Sequence, residues 1–567
     1  MTTEAAFSAP AALRGLGSPR LRRLLADVAL VLLVLATYGT SLEGDFVFDD
    51  RLLVVENEMV AEPPWNLAAL FETSVGGRVN YRPLRTLSYM VDYQLAGGLE
   101  PWVFHASNLV YHSLVVLSLH ALARAVLGGT LGALFASALF AVHPLGSEAV
   151  AYVAGRRDLL CALFAVLSLR AWWTFLERRA AGPPARTTGP LVLALALGLA
   201  SLAAKETALV LPILGALLAF VRARAHRESA APSSISYAML VRAALAIGVV
   251  AVLLYPDRFV LAWHRVLAGP LAPQPALSLQ VLGQYAWLAI WPQTLMADYR
   301  HGAFPLPTSS FDAGALVAAI ALAAIAAAGV VLLWCGRVAG AGLLWFLVAL
   351  LPVAQIVPYS EVVSEHNAYL PLAGLALAAG EAFDAVARRW RTLAVVAAVI
   401  LLTALAGRSF VRTGDWRDEV TLWTASLEAA PQSLRSHYNL GVALRREGRF
   451  ADAEASFARA VAADPRDVDS LVALAESRGR AGDYRAAAQL ARQAVQVAPS
   501  AEGYAILGWS RVALGSPFAA RKVFRKALAI DGSNEDAIRG LKTVRKQLRP
   551  RTRMRTADEV PRRAAGE

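Results

Sequence analysis

Long apolar segments separated by short polar loops fill the first part of this chain and most constrain its fold. A bilayer core about 30 Å thick needs about 20 consecutive apolar residues per helix, and a helix satisfies its own backbone hydrogen bonds there. Small residues recur within the segments, as close helix packing in lipid requires. The sequence predicts eleven transmembrane helices, at about 25–42, 106–126, 131–149, 159–176, 190–203, 206–222, 238–255, 314–335, 340–357, 367–386 and 392–409.

Composition supports this membrane class and excludes others. Of the 567 residues, 57% are hydrophobic and 17% are charged, whereas soluble domains have roughly 25% charged residues. The net charge of +12 does not indicate nucleic-acid binding, because the basic residues cluster in short loops and a tail without a basic-aromatic stripe. Cys161 and Cys335 both fall at apolar segments, so a disulfide framework is not expected and a metal cluster is unsupported.

Basic residues also predict the orientation of the helices. Arg14, Arg20, Arg22 and Arg23 precede the first segment, and no small-residue cleavage site is evident, so 1–24 is predicted to be a cytoplasmic N-terminus before a retained anchor. With this end inside, the inside loops hold more Lys and Arg than the longer outside loops. The abundance of Arg and Ala is typical of a GC-rich bacterial genome, so a bacterial inner membrane is expected.

The membrane domain, 25–410, contains two long loops that this orientation places outside. Loop 43–105 is aromatic and amphipathic, which favours short helices at the interface. Loop 256–313 includes an apolar run at 282–295 that is too short to span, and its two Trp residues and Pro292 indicate a re-entrant or interfacial helix.

A repeat of about 34 residues follows and predicts a tetratricopeptide-repeat domain at 411–548. The unit 434–467 has Leu440–Gly441, Ala453, Phe457 and Ala460, and similar residues recur in the units that start at 468 and 501. Segment 418–433 matches a second helix alone and would cap the array. Each repeat is a pair of antiparallel helices, so this domain is an α-solenoid and the whole chain is all-α. The basic tail 549–567 is predicted to be disordered.

Six loops bring mixed charge to the outside face, which predicts a polar site at the membrane surface. Such a site suits transfer from a lipid-phosphate donor, because Arg or Lys stabilises the leaving phosphate and a carboxylate deprotonates an acceptor hydroxyl. The residues concerned are Asp49, Asp50, Arg82, His143, Glu148, Arg156, Asp158, Lys205, Glu206, Asp298, Arg300, Glu361, Glu365 and His366.

Most of these residues also have a plainer interpretation, and the loop with Glu361, Glu365 and His366 fits a simple polar turn. Asp49 and Asp50 fit a solvated loop end, and Arg82 and Arg156 fit headgroup contacts or ion-pair partners. Lys205–Glu206 fits a structural pair, and His143 fits a hydrogen bond at a helix end. Only the convergence of six loops on one face favours function.

Several stretches carry a family resemblance. They are GDFVFDD, NYRPLRTLSYMVDYQLAGGLEPWVFHASNLVYHSL, LFAVHPLGSEAVAYVAGRRDLLCALF, LAAKETALVLP, WPQTLMADY and VVSEHNAYLPLAG, followed by the repeats. In this order they resemble the transmembrane and tetratricopeptide-repeat O-mannosyltransferases, which are glycosyltransferases of the GT-C fold. The chain departs from the family pattern at His366, where an Arg is expected, and in its short repeat array.

The resemblance implies a polyprenyl-phosphate sugar as donor substrate and roles for the site residues. Asp49 becomes the first choice for the catalytic base and Asp50 the choice for its support, with the reverse order left open. Arg82, Arg156 and Lys205 become ligands of the donor phosphate. The residues expected to position substrate are Glu148, Asp158, Glu206, Glu365 and His366. No cofactor is predicted, and the need for a divalent metal stays open, because the spacing does not demand a metal site.

The leading hypothesis is an inverting membrane glycosyltransferase that moves mannose or another hexose to an extracytoplasmic acceptor, such as protein Ser or Thr hydroxyls. The repeats, 434–531, would contact the protein acceptor. One alternative is a membrane-anchored scaffold whose repeats recruit an extracytoplasmic assembly. Another is a transporter of lipid-linked sugar, which predicts charged residues at mid-membrane depth.

Overall fold

The computed structural model describes residues 18–66, 82–129, 131–181, 187–225, 275–299, 303–304, 307, 309, 312–356 and 361–548. The predicted span 238–255, the predicted tail and Arg300 lie outside these residues. The chain divides into two compact units, Met1–Pro431 and Gln432–Glu567. This boundary differs from the predicted one at residue 411, because the helix Glu419–Ala429 buries Leu422 and Trp423 within the first unit.

The regular elements in the described residues of the first unit are helices, joined by turns and extended stretches. Pro19, Pro83 and Pro101 each stand at the start of a helix, where the missing N–H of Pro does no harm. The helices are α1 (Pro19–Tyr38), α2 (Pro83–Ala96), α3 (Pro101–Leu127), α4 (Leu131–Val142), α5 (Ser147–Ala151), α6 (Arg156–Ala181), α7 (Thr188–Ala204), α8 (Leu211–Ala225), α9 (Pro275–Ile290), α10 (Ala313–Trp334), α11 (Val338–Leu350), α12 (Tyr369–Arg389), α13 (Arg391–Asp415) and α14 (Glu419–Ala429).

Seven helices in the described part of the chain are long and apolar enough to cross a membrane. A further pair, Leu131–Val142 and Pro144–Ala151, is bent by 53° and makes eight if it counts as one span. Pro144 explains the bend, because proline cannot continue a helix. Every predicted segment in the described residues coincides with one of these helices or with the shorter apolar helices Thr188–Ala204 and Val338–Val353. The seven are Pro19–Glu43, Pro101–Leu127, Val153–Ala181, Glu206–Arg224, Ala313–Trp334, Glu365–Arg389 and Arg391–Asp415.

Glycines let helices of this bundle cross closely. A Cβ on Gly342 of α11 would lie 2.4 Å from the carbonyl oxygen of Gly374 on α12. A Cβ on Gly380 would similarly lie 2.6 Å from the carbonyl oxygen of Gly132 on α4. A side chain at either crossing would force the helices apart, which is the packing predicted from the small residues.

The described parts of the two long loops contain short helical elements. Loop 43–105 has turns at Arg51–Val55 and Glu58–Ala61, followed by α2. In the second loop, α9 ends at Ile290, just before Trp291 and Pro292. Trp287 and Trp291 are both more than half exposed, as expected of aromatic residues at a membrane interface.

The described part of the second unit consists of three helix pairs and a single last helix. Phe457 and Phe524 are fully buried, and a Cβ on Gly441 or Gly508 would lie within 2.6 Å of these rings. The glycine of each Leu-Gly pair therefore makes room for the aromatic ring of the next helix. The helices are α15 (Leu434–Arg446), α16 (Phe450–Ala463), α17 (Val468–Arg480), α18 (Tyr484–Val497), α19 (Ala501–Ala513), α20 (Pro517–Ile530) and α21 (Glu535–Gln547).

Candidate active site

The two adjacent carboxylates after α1 have different surroundings. Asp50 is fully buried and accepts N–H bonds from Val47, at 3.1 Å, and from Ala154, at 2.7 Å. It therefore ties residues 44–50 to the turn before α6. Asp49 is half-buried, and its backbone N–H donates to the Tyr152 hydroxyl at 3.1 Å. The Asp49 side chain lines a cleft.

Residues from five segments of the first unit line this cleft, and most of them are polar. The segments are the stretch after α1, α5 with the turn that follows it, the start of α6, the stretch after α9, and the stretch before α12. The lining residues are Phe48, Asp49, Glu148, Tyr152, Arg157, Ala297, Asp298, Glu361, Val363, Ser364 and His366. Four of the six loops that the charge pattern predicts to share one face thus meet at this cleft, and the loops with Arg82 and with Lys205 and Glu206 do not line it.

Phe48 supports Asp49 from an unusual backbone conformation. Its φ of 53° lies in the left-handed region, which costs a bulky residue on the order of 1–3 kcal/mol. The Phe48 ring meets the Trp423 ring edge-on at 5.3 Å and lies 6.2 Å from the Tyr152 ring, on which Trp416 stacks. Aromatic packing therefore holds the strained turn that presents Asp49.

Burial and charge act in opposite directions on the two carboxyl groups. Burial raises the pKa of Asp49, while the nearby Arg157 guanidinium lowers it. Burial raises the pKa of Asp50 well above its usual range, against the two N–H bonds that favour its ionised form. Asp49 is therefore a carboxylate with raised basicity beside a cation, which suits a general base.

Arg157 is the cleft's cationic side chain that the sequence reasoning did not choose. Its Nη2 lies 3.0 Å from Nε2 of His366, and its Nε lies 3.4 Å from the Asp158 carboxylate. Glu148 accepts from His366 at both the backbone N–H, at 2.8 Å, and the ring Nδ1, at 2.7 Å. Glu148, His366 and Arg157 therefore form one connected group along the cleft wall.

Arg156, which was expected to bind the donor phosphate, instead binds buried groups of the protein and does not line the cleft. Its side chain is fully buried and pairs with Asp92, while it donates to Asn108 at 2.8 Å and to the carbonyl of Phe104 at 2.7 Å. The Tyr89 ring lies 4.8 Å from the guanidinium carbon. Consecutive helix positions point about 100° apart, so Arg156 faces the bundle while Arg157 faces the cleft.

Four other predicted residues form pairs behind the cleft. Lys205 is buried, and its Nζ lies 2.7 Å from Asp158 and 2.8 Å from the side-chain oxygen of Asn367. Arg82 pairs with Glu206 at 3.2 Å. None of these four lines the cleft, and Asp158 links Lys205 to Arg157.

Glu365 holds the loop after α9 in place. It is fully buried and accepts from the Met296 N–H at 2.6 Å, from the Tyr299 hydroxyl at 2.9 Å and from Arg412 at 3.2 Å. Its position therefore shapes the cleft without facing it. The sequence reasoning missed Arg412, although an Arg within an apolar helix is a recognisable signal of a buried partner. His143 forms helix-end hydrogen bonds with Leu145 and Ala289.

A metal site is not assembled from these residues. Asp50 and Glu365 use their oxygens on protein donors, and in the described part of the chain no group of three or more His, Cys, Asp or Glu is arranged to hold a metal ion.

Comparisons with known proteins agree with this architecture. The family model described as tetratricopeptide repeat matches residues 405–468 and 472–535. Protein O-mannosyl-transferase TMTC4 of Mus musculus is 29% identical over 479 residues, which cover 73% of this chain and 63% of that protein. The TMTC4 protein of Homo sapiens is 29% identical over 476 residues, which cover 72% of this chain and 62% of that protein. Protein O-mannosyl-transferase F38B6.6 of Caenorhabditis elegans is 27% identical over 457 residues, covering 77% of this chain and 62% of that protein.

The fold and the cleft define a class, a polytopic helical membrane protein with a tetratricopeptide-repeat unit. Within that class the chain is similar to the protein O-mannosyl-transferases of the TMTC type, as the resemblance predicts. The chain covers less than two thirds of the length of each relative named above.

Proposed function

We propose that this protein is an inverting glycosyltransferase that moves mannose or another hexose from a polyprenyl-phosphate donor to Ser or Thr hydroxyls of a protein. The observation that carries the proposal is Asp49, a carboxylate presented in a cleft beside the Arg157 guanidinium. The names of the homologues, protein O-mannosyl-transferases, support the sugar and the acceptor.

In the proposed reaction the acceptor oxygen attacks the anomeric carbon while Asp49 takes the hydroxyl proton. The bond from that carbon to the phosphate oxygen breaks, and its electron pair leaves with the phosphate. Arg157 stabilises the charge that develops on this leaving group, as a guanidinium does for phosphate oxygens. The products are the glycosylated acceptor, with inverted configuration at the anomeric carbon, and polyprenyl phosphate.

The roles of the two aspartates follow from their surroundings. Asp49 lines the cleft, whereas both oxygens of Asp50 accept backbone N–H bonds inside the protein. Asp49 is therefore the base and Asp50 the support. Arg157 replaces Arg156 as the proposed phosphate ligand, because Arg156 donates to buried protein groups.

The proposed location is a bacterial inner membrane, with the N-terminus in the cytoplasm and the cleft and repeats outside it. This orientation gives the cleft access to a donor whose phosphate lies at the outer bilayer surface. It rests on the placement of Lys and Arg in the loops.

The test is sugar transfer by the purified full-length protein in lipid nanodiscs, with labelled mannosyl-phosphoryl polyprenol and a Ser/Thr-rich peptide. Asp49→Asn should lower kcat by about 10²- to 10⁴-fold. Asp45→Asn is the matched control, since Asp45 is exposed in the same loop and is expected to keep wild-type activity. Full transfer by Asp49→Asn would contradict the proposed role of this residue.

Binding of a protein partner is a second candidate function, favoured by a separate compact repeat unit. A scaffold would lose all function on deletion of 432–567 and would be indifferent to Asp49→Asn. A glycosyltransferase would lose transfer activity on either change, and the Asp49→Asn protein would still bind its acceptor.

A further inference from the structure

We infer that His366 is a positioning residue for Arg157, and that Glu148 fixes the imidazole tautomer that makes this possible. His366 then holds the guanidinium against the cleft, where it receives the donor's phosphate. This inference rests on the proposed function for the identity of the ligand, and its geometry stands on the contacts of three side chains.

The tautomer follows from the Glu148 contacts. The Glu148 carboxylate accepts the backbone N–H of His366 at 2.8 Å and faces the ring Nδ1 at 2.7 Å. An ionised carboxylate can only accept hydrogen bonds, so Nδ1 carries the proton. In a neutral imidazole the other nitrogen, Nε2, then has a free lone pair.

The Arg157 contact requires the same tautomer. Nε2 of His366 lies 3.0 Å from Nη2 of Arg157, and a guanidinium has only donors. Nε2 must therefore accept, which is possible only if the proton is on Nδ1. The Glu148 contact at Nδ1 and the Arg157 contact at Nε2 therefore both indicate that Nδ1 carries the proton.

Burial strengthens the hydrogen bonds that link Glu148, His366 and Arg157. His366, Glu148 and Arg157 are exposed by 4%, 4% and 9% respectively. In such surroundings water competes little, so each hydrogen bond orients its partner more strongly than it would at a surface. The three residues come from the turn Glu365–Ala368, from α5 and from α6. His366 therefore fixes a cation of one helix relative to two other elements of the cleft.

The first experiment compares two His366 variants of the full-length protein with the wild type in the transfer assay, at saturating acceptor. In His366→Gln the amide nitrogen can donate to Glu148 while the amide oxygen accepts from Arg157, so the donor KM should stay within about 3-fold of wild type. His366→Leu offers neither atom, so the donor KM should rise about 10-fold, roughly the value of one charge-assisted hydrogen bond. The KM for the acceptor should not change in either variant.

Glu148→Gln tests the tautomer itself. The amide oxygen of the new side chain satisfies the backbone N–H of residue 366, which turns the amide N–H₂ toward Nδ1. Nδ1 must then accept, and the proton moves to Nε2, where it faces the Arg157 donors. The donor KM should rise as it does in His366→Leu, and the double variant with His366→Leu should be no worse than either single variant, because both act through Arg157.

The second experiment measures binding without transfer, which separates this inference from the proposed function. The dissociation constant of farnesyl phosphate is measured for the wild type, Arg157→Gln, His366→Leu and His366→Gln. Arg51→Gln is the control for loss of one positive charge in an outside loop, since Arg51 pairs with Glu419. Binding should weaken in the Arg157→Gln and His366→Leu proteins only.

The outcomes are distinct. If the wild type transfers no sugar but His366→Leu weakens farnesyl phosphate binding, the inference holds and the proposed function falls. If His366→Leu keeps both the wild-type KM and the wild-type dissociation constant, the inference is overturned. A His366→Gln protein that folds normally and is as weak as His366→Leu would also overturn it.

Discussion

Side chains buried in the described part of the repeat unit, 432–548, are apolar apart from several Ser residues and one His. The first unit, Met1–Pro431, called the membrane unit below, instead buries charged side chains: Asp50, Arg156, Lys205, Glu365 and Arg412. An ion removed from water costs several kcal/mol unless its partners are well placed. The repeat unit therefore gains stability from its core, whereas the membrane unit retains a costly arrangement that presents Asp49 and Arg157.

The largest expected effect breaks a buried ion pair. Arg412→Leu leaves the Glu365 charge buried without its cation, so the free energy of unfolding should fall by about 3–5 kcal/mol. Adding Glu365→Gln removes that charge and should restore much of the loss. In the repeat unit, the Arg445–Glu476 pair is about 30% exposed on both sides, so Arg445→Leu should cost less than about 1 kcal/mol. Denaturant titration of the Arg412→Leu and Arg445→Leu proteins measures both changes in the free energy of unfolding. Equal decreases in the two proteins would contradict the comparison.

A second prediction separates chemistry from stability at Arg157. Arg157→Gln should lower kcat/KM for the donor by about 100-fold, because the leaving phosphate loses its cation. The free energy of unfolding of the Arg157→Gln protein should change little, since Asp158 keeps Lys205 as a partner. Arg51→Gln, the matched control, should leave transfer unchanged. An Arg157→Gln protein with wild-type kcat/KM would show that another side chain holds the phosphate.

A smaller effect concerns packing in the repeat unit. Gly441→Ala places a Cβ 2.6 Å from the Phe457 ring and should destabilise this helix pair by about 1–3 kcal/mol. Gly479→Ala is the control, since its Cβ meets only the Ala487 Cβ at 3.8 Å, and it should be neutral or stabilising. Hydrogen exchange of α15 and α16 measures the loss, while sugar transfer by the membrane unit is expected to persist. Similar protection in both variants would contradict the tight packing.

Much of the fold could be predicted because its signals are local. The length of an apolar run decides whether a helix can span, and the 34-residue period places Gly441 and Phe457 before any contact is known. Such signals depend on the identities of residues near each other in the chain. The boundary at Pro431 could not be predicted from local signals alone, because α14 joins the first unit through the burial of Trp423, a contact made in the folded structure.

The cleft could be predicted only in part. Mixed charge in the loops predicted to lie outside indicated a shared face, and Asp49, Glu148 and His366 do line one cleft. This pattern of charge could not tell Asp49 from Asp50, or Arg156 from Arg157, because neighbouring residues point in different directions and the outcome depends on what packs against them. The Glu365–Arg412 pair joins residues 47 positions apart, a contact that no local pattern specifies.

The finest expected effect is a shift in pH dependence. The proposed base, Asp49, must be ionised to act, so the proposed transfer should be lost as the pH falls through the Asp49 pKa and retained above it. Burial raises this pKa above the ordinary value of 3.8, and Arg157 opposes that rise. Arg157→Gln removes the opposing charge, so the acid limb of kcat should move to higher pH. Arg51→Gln should leave the limb in place. Profiles of kcat against pH for the three proteins decide this, and an unmoved limb in Arg157→Gln would mean that Arg157 does not act on the base.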